Sequence, residues 1–369
     1  MADIPWLPVA RPRLPTADRL MPYLRRIDES RVYANRGALQ VELEQRLEAM
    51  TGLPGQRVLA CASGTAALIG AMLTVASGLK ETRPLCLMPG FGFVATAAAA
   101  RLAGFAPHFA DVSPRTGALC PERLMSHPRL SEVRMVVPVV PFGRRIDLAA
   151  WDRFAQQTGI AVVVDAAAGF EWLTAPGREF PPSLMIAVSL HATKAFASGE
   201  GGLVIAADPD KARGAFQAIN HGFLNTRQAE LLATNGKMSE YHAAVALAEL
   251  DGWAKKRAAH RRTGALLQAQ WRRRPREGRL WTCPDVAGCY ALYQAPTAAA
   301  AQAAQKALAA AQIGTRFWYG SGIQDHPAHR HLPSDDLTVA RDLAGRLLGL
   351  PAFPDMTAAE ATRIIEALP

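Results

Sequence analysis

Residues 161–169 read Ala-Val-Val-Val-Asp-Ala-Ala-Ala-Gly. Three consecutive valines without polar alternation suit a strand buried on both faces. The acid directly after them, Asp165, marks where that strand reaches a loop. An ionised carboxylate beside such an apolar run is costly unless a donor or a cation meets it. These nine residues therefore predict a central strand of a doubly covered sheet, with a polar group at its carboxyl end.

The same pattern extends outward on both sides. Between residues 57 and 206, short β-rich runs alternate with Ala-rich helical ones. The strand expectations are Arg57–Ala60, Leu85–Met88, Ala106–Ala110, Val133–Val140, Ala161–Val164, Ile186–Leu190 and Leu203–Ala206. Helices are expected at Thr65–Ala76, Ala95–Ala103 and Leu148–Thr158. This alternation predicts an α/β domain with a mostly parallel sheet. Ahead of it lies a Pro-broken arm (Pro8, Pro12, Pro15), then helical spacing at Met21–Ile27 and Val41–Met50. Residues 213–275 read as mainly helical, and 276–369 as a smaller α+β region containing an Ala-rich helix at Thr297–Gln312. The expected division is 1–250 for the arm and large α/β domain and 251–369 for a small C-terminal domain.

Composition excludes several classes. Half of the 369 residues are hydrophobic and a fifth charged, an ordinary globular balance. No stretch is apolar for long enough to span a bilayer, and the N-terminal prolines and charges do not form a signal peptide. Cys61, Cys86, Cys120, Cys283 and Cys289 are scattered without zinc-ligand spacing, which predicts reduced thiols in a cytoplasmic protein. The formal charge of +9 fits either nucleic acid or small anionic substrates. The basic run from Lys255 to Arg276 has helical periodicity around Trp253, Leu266, Leu267 and Trp271, which reads as a solvated helix face. No nucleic-acid-binding signature accompanies it.

Four segments at predicted strand ends carry chemistry, and in this architecture ligands bind there. In Cys61–Leu68, Ser-Gly-Thr opens a helix whose free N–H groups suit a phosphate; a plain N-cap is the ordinary reading. Asp165 suits a cation such as a protonated pyridine nitrogen, or caps a helix. Ser189-Leu190-His191-Ala192-Thr193-Lys194, followed by Gly199-Glu200-Gly201-Gly202, places a lysine past a strand, where desolvation would lower its pKa and make it nucleophilic. Pro89–Thr96 offers a ring for stacking or simply for the core.

Taken in order, these segments resemble the DegT/DnrJ/EryC1/StrS aminotransferases, pyridoxal-phosphate (PLP) enzymes of fold type I that often act on nucleotide-linked keto-sugars. The resemblance includes Tyr33-Ala34-Asn35-Arg36-Gly37 with Leu43-Glu44, Phe109-Ala110-Asp111-Val112, Pro138 with Gly143 and Asp147, and Asn235-Gly236-Lys237-Met238-Ser239-Glu240. It implies an aspartate-aminotransferase-like large domain and pyridoxal 5'-phosphate as cofactor. Lys194 would form the Schiff base and then shuttle the proton, and Asp165 would pair with the pyridine nitrogen. Phe93 would stack on the ring. Gly64, Thr65 and Ser189 would hold the phosphate. Asn235 would reach that phosphate from a partner subunit, which implies a homodimer with shared active sites. Tyr319 and Arg316, in Arg316-Phe317-Trp318-Tyr319, would line the substrate side.

The implied reaction moves an amino group from a donor, glutamate by resemblance, to a keto-sugar, with no nucleic acid, membrane or metal involved. Relatives usually carry Gln or His where Ala168 stands, which opens an alternative non-nucleotide ketone such as a cyclitol. Dehydratase relatives replace the lysine with histidine; Lys194 is present, which favours transamination, and His191 does not substitute for it. A non-catalytic regulator on the same fold is the remaining alternative. The loop Asp325–His331 carries three histidines in a proline-containing turn, an incidental grouping.

Overall fold

The computed structural model describes residues 5–369. Seven strands form the main sheet: β1 (Val58–Cys61), β2 (Leu85–Pro89), β3 (Ala106–Ala110), β4 (Val133–Val136), β5 (Ala161–Asp165), β6 (Leu184–Ser189) and β7 (Gly202–Ile205). Their spatial order is β1-β7-β6-β5-β4-β2-β3. Only β7 runs against the others, antiparallel to both β6 and β1. The remaining pairs are parallel. Val162–Val164 sit in the middle of this sheet, essentially without exposure, as the opening run predicts.

Among the described residues the thirteen helices are α1 (Ala17–Ser30), α2 (Ala38–Thr51), α3 (Gly64–Ser77), α4 (Ala95–Leu102), α5 (Pro121–Leu124), α6 (Leu148–Thr158), α7 (Phe170–Leu173), α8 (Pro209–Ile219), α9 (Glu240–Asp251), α10 (Trp253–Arg273), α11 (Ala298–Ala310), α12 (Thr338–Arg346) and α13 (Ala358–Glu366). Helix α3 packs on α8 and on the centre of the sheet, and α6 packs on β5 and β6. A second sheet, β8 (Arg279–Trp281), β9 (Ala291–Gln294) and β10 (Leu347–Leu350), is antiparallel in the order β10-β9-β8. It shares a separate core of Leu267, Leu280, Tyr293, Leu308, Leu348 and Ile364. Leu7 of the arm is buried in that core and bridges Ile313.

Two expectations need correction. The strand expected over Val133–Val140 ends at Val136. Pro138 has no N–H for the ladder, and the chain continues extended, Val139 bridging Asp165. The helical expectation over 213–275 is broken between Ile219 and Glu240. There His221 and Gly222 take left-handed φ of 58° and 78°, and Asn220 bridges Asn235 across the excursion. The basic run does form α10. Lys256 bonds Glu249 and Arg262 reaches the Pro354 carbonyl, so part of its charge serves the fold.

The Asn235–Glu240 segment has a structural task. The buried Glu240 carboxylate accepts the Leu39 and Gln40 N–H groups at 2.8 and 3.0 Å, capping α2 from a distant part of the chain. Gly37 is required there, because a Cβ would lie 2.6 Å from the Glu240 carboxyl carbon. Glu240→Ala should therefore lower the unfolding free energy by about 2 kcal/mol, the cost of losing a cap and leaving buried donors unpaired. Urea denaturation measures this, and an unchanged midpoint would contradict the capping role.

Candidate active site

The carboxyl ends of β1, β5 and β6 meet the start of α3. Ser63 caps α3, accepting from the Ala66 N–H at 3.1 Å. The N–H groups of Gly64 and Thr65 open the first turn, where a helix has no internal acceptors. Gly64 lies against the end of β6, and a Cβ there would sit 2.7 Å from Ser189 Cβ. Gly202, at the start of β7, passes so close to the Ser63 carbonyl that an added Cβ would collide with it. The glycine-rich turn thus lets the reversed strand bring Ser189 beside the α3 N-terminus. Gly64, Thr65 and Ser189 form one polar cradle, of a kind that takes a phosphate.

Lys194 follows β6 in a tight turn, its N–H bonded to the His191 carbonyl at 2.8 Å. Its Nζ lies 3.0 Å from the Tyr290 hydroxyl. Asp165 is buried at the end of β5; its carboxylate accepts from Thr96 Oγ1 at 2.6 Å and from the Ala167 N–H at 3.1 Å. Burial pushes the Asp165 carboxyl above its ordinary value, against the pull of Thr96, Ala167 and Lys194. For Lys194, burial does lower the pKa as the sequence predicts. Tyr290, Cys289 and Asp165 act the other way, and the balance lies above the ordinary lysine value. The expectation of a simply depressed lysine is corrected on that ground. Phe93, whose carbonyl accepts the Thr96 N–H at 3.3 Å at the start of α4, is 58% exposed, a ring left uncovered. A buried carboxylate lacking a close cation, an uncovered aromatic ring and a helix-end cradle fit a flat, phosphorylated, cationic heterocycle.

The pattern of the DegT/DnrJ/EryC1/StrS aminotransferase family matches residues 16–369. The chain belongs to that family. It is 30% identical over 244 residues to the dTDP-4-amino-4,6-dideoxy-D-glucose transaminase of Shigella dysenteriae, covering 66% of this chain and 64% of the relative. It is 27% identical to a UDP-N-acetyl-3-dehydro-alpha-D-glucosamine 3-aminotransferase of Acidithiobacillus ferrooxidans, over 91% and 89% of the two chains. Among solved structures, DesI with its TDP-sugar product matches at TM-score 0.85 and 27% identity, over 99% of this chain and 92% of that one. The protein is thus a PLP-dependent aminotransferase of fold type I, from a family of sugar aminotransferases.

Within this aminotransferase, the remaining expected residues fall in different places. Tyr319 stacks on Phe142 (ring centroids 4.4 Å apart) and meets Phe91 edge-on at 4.9 Å. Its hydroxyl accepts the Phe142 N–H at 3.2 Å, which braces Phe142 at a left-handed φ of 54°. Such backbone is uncommon for a bulky residue and is held by its surroundings. Arg316 is exposed, lies over the Trp318 ring and pairs by backbone with Gly349 of β10; it does not join the Lys194 cluster. Asn235 is exposed, takes a bond from Lys237 Nζ at 2.8 Å and lies near the end of β1. His191 bonds Thr193 at 2.8 Å and so shapes the turn before Lys194. Ala168 abuts the Pro141–Gly143 turn through its carbonyl, which leaves Gly143 no room for a Cβ.

Sequence reasoning missed Tyr290 and Thr96 as site residues. Thr96 stood inside a quoted segment, and its pairing with an acid 69 positions away left no trace in spacing. Nor did the loop Asp325–His331 converge on a metal-like set. The grouping that does is His108, His127 and Asp335. Both imidazole Nε2 atoms face Asp335, at 2.7 and 3.2 Å. Arg129 donates to each Nδ1, at 3.2 Å in both cases. Each Nε2 then carries the proton. A metal-bound imidazole has the opposite arrangement, with its outer nitrogen donating, so this cluster ties the β3 edge to the segment before α12.

Two tests follow. Tyr290 raises the Lys194 pKa, so Tyr290→Phe should shift titration of that amine to lower pH. The rate of imine formation between the cofactor-free chain and an aromatic aldehyde, followed against pH, should show its inflection at lower pH; an unmoved or raised inflection would refute the contact. His260 is buried beside the same cleft, with Nδ1 2.8 Å from the Gly288 carbonyl, and burial depresses its pKa to about 4 from 6.5. The unfolded chain therefore binds the proton first. The stability due to neutral His260 is full above pH 6.5 and falls as pH drops toward 4, by about 3 kcal/mol. Wild type and His260→Gln, unfolded in urea at pH 7 and pH 4.5, should differ in acid sensitivity in that sense.

Proposed function

We propose that this aminotransferase transfers an amino group from glutamate to a nucleotide-linked keto-sugar, with pyridoxal phosphate bound covalently to Lys194. The observation that carries the reading is the meeting of Lys194, Tyr290 and the buried Asp165 beside the Ser63–Thr65 cradle. The named activities of the Shigella dysenteriae and Acidithiobacillus ferrooxidans relatives support a nucleotide-linked substrate. Asn235 reaches the phosphate cradle of a second copy, so the working unit is a homodimer.

The cofactor, when bound, supplies an aldehyde and an electron-poor ring that takes up the electron pair of a broken C–H bond. Gly64 and Thr65 N–H groups with Ser189 would hold its phosphate. Asp165 would meet the ring nitrogen, where a positive charge would offset the burial that raises its pKa. Thr96 fixes the carboxylate's orientation from the side. Phe93 would cover one face of the ring. Lys194 Nζ is the base that takes the proton from the substrate carbon and returns it one position along. Tyr290, bonded to that nitrogen, keeps it within reach between the two proton movements. The wall of Phe91, Phe142 and Tyr319 excludes water from the adjoining side.

Reconstituted protein should turn yellow, and borohydride should fix the cofactor to the peptide carrying Lys194; Lys194→Ala should lose both signals. Asp165→Asn should retain the fold and lose about a hundredfold or more in kcat, the usual scale for a displaced acid–base or charge partner. Glutamate should discharge the yellow colour, and a nucleotide-linked keto-sugar should restore it. Restoration by unphosphorylated ketones alone would instead favour the cyclitol alternative.

A further inference from the structure

Behind the aromatic wall lies a second recess, formed where the loops after β3 and β4 meet the small sheet. Arg115, Thr116, Phe142, Arg144, Trp281 and Gln294 are among its lining residues. Arg144 is half-buried there, and its guanidinium lies 4.4 Å from the centroid of the buried Trp281 ring. Arg279 lies 3.5 Å from the same centroid. Arg144 donates to the Thr116 carbonyl at 2.9 Å and to the Arg115 carbonyl at 3.4 Å, both neutral acceptors. Among the described residues, none of the three arginines forms a salt bridge, whereas Arg11, Arg36, Arg46 and Arg346 all do. Burial lowers the Arg144 pKa and the charges of Arg279 and Arg115 lower it further; only Asp285 opposes them.

Three guanidinium groups gathered with Asp285 alone opposing them, and that acid in no salt bridge with them, repel one another, and the Trp281 ring packs against two of them. An anion relieves that repulsion. Guanidinium groups match phosphate oxygens in forked geometry, and more so when partly desolvated. We propose that Arg115 and Arg144, backed by Arg279 across Trp281, form an anion site for a diphosphate group. Phe142 is shared by this recess and by the stack with Tyr319, and it meets Tyr290 edge-on at 5.4 Å. A diphosphate held here therefore sits one aromatic layer from the residue that holds Lys194. The group could belong to the nucleotide of the proposed substrate, in which case the inference rests on that reading, or to a free diphosphate.

Inorganic pyrophosphate is the direct probe. Isothermal titration of the PLP-loaded enzyme at low salt should detect its binding. Arg144→Gln should weaken that binding at least tenfold. Arg115→Gln, which removes an exposed side chain that bonds none of the described residues, should weaken it several-fold without loss of thermal stability. Absent binding, or binding unchanged in the double variant, overturns the site. Kinetics then separate the sources. A KM for the nucleotide-linked substrate raised tenfold at unchanged kcat, with pyrophosphate competing against it, assigns the group to the substrate. Pyrophosphate binding that the nucleotide-linked substrate does not displace assigns it to a free diphosphate. Because pyrophosphate binding is read directly, a failure of the nucleotide-sugar reading leaves the site testable, and a failure of the site leaves that reading intact.

Discussion

The constraint on which this molecule turns is a single carboxylate at the end of its central strand. Asp165 is buried, and its backbone is tied twice to the extended segment after β4: its N–H reaches the Pro138 carbonyl, and its carbonyl accepts from Val140. The side chain receives a hydroxyl and one N–H. Those partners orient a carboxylate but do not neutralise it, and burial still pushes its pKa upward. A fold that keeps an acid in such a place holds a standing preference for a cation. The neighbouring groups answer to it: Thr96 from α4, Lys194 from beyond β6, and the polar cradle at the start of α3 one strand further along.

That cradle depends on the reversed strand. If β7 ran parallel to its neighbours, the turn after Lys194 could not return directly along β6. Instead Leu190 bonds the Gly201 carbonyl and Ala192 bonds the Gly199 carbonyl, closing the turn on itself. Gly202 then slides past the Ser63 carbonyl at a distance no side chain would allow. One antiparallel strand therefore brings the serine of β6 against the start of α3 and closes the turn that carries the lysine. The lysine is also gripped from the other unit, through Tyr290 just ahead of β9. Its position thus depends on how the small sheet seats against the large one, and the Phe142–Tyr319 stack is part of that seating.

How much of this was legible in the sequence follows from the range of the interactions. The strands of the main sheet were visible because burial on two faces writes itself into consecutive residues. Asp165, Lys194 and the Ser63–Thr65 turn were visible because each is a local break in such a run. Tyr290 was not, since nothing in Ala287–Tyr290 distinguishes a tyrosine that meets a lysine 96 positions earlier from one in an ordinary core. Arg144 was hidden likewise, as one basic residue among 41, until the fold placed it on Trp281 without a salt-bridge partner among the described residues.

The Asn235–Glu240 segment shows the opposite case, in which part of a recognisable motif is spent on architecture. Glu240 is absorbed by the fold, capping α2 and crowding out any side chain at Gly37. Asn235, five residues earlier, is left exposed and bonded only to its neighbour Lys237. A motif whose buried end is spent on architecture fixes the position of its exposed end very closely, because Gly236 and Met238 between them are themselves buried. The strand-like path from Asn220 to Asn235 and on to Cys61 therefore presents Asn235 on a rigid backbone. Rigidity of that kind is what a residue needs if it is to complete a phosphate site on a second copy of the chain.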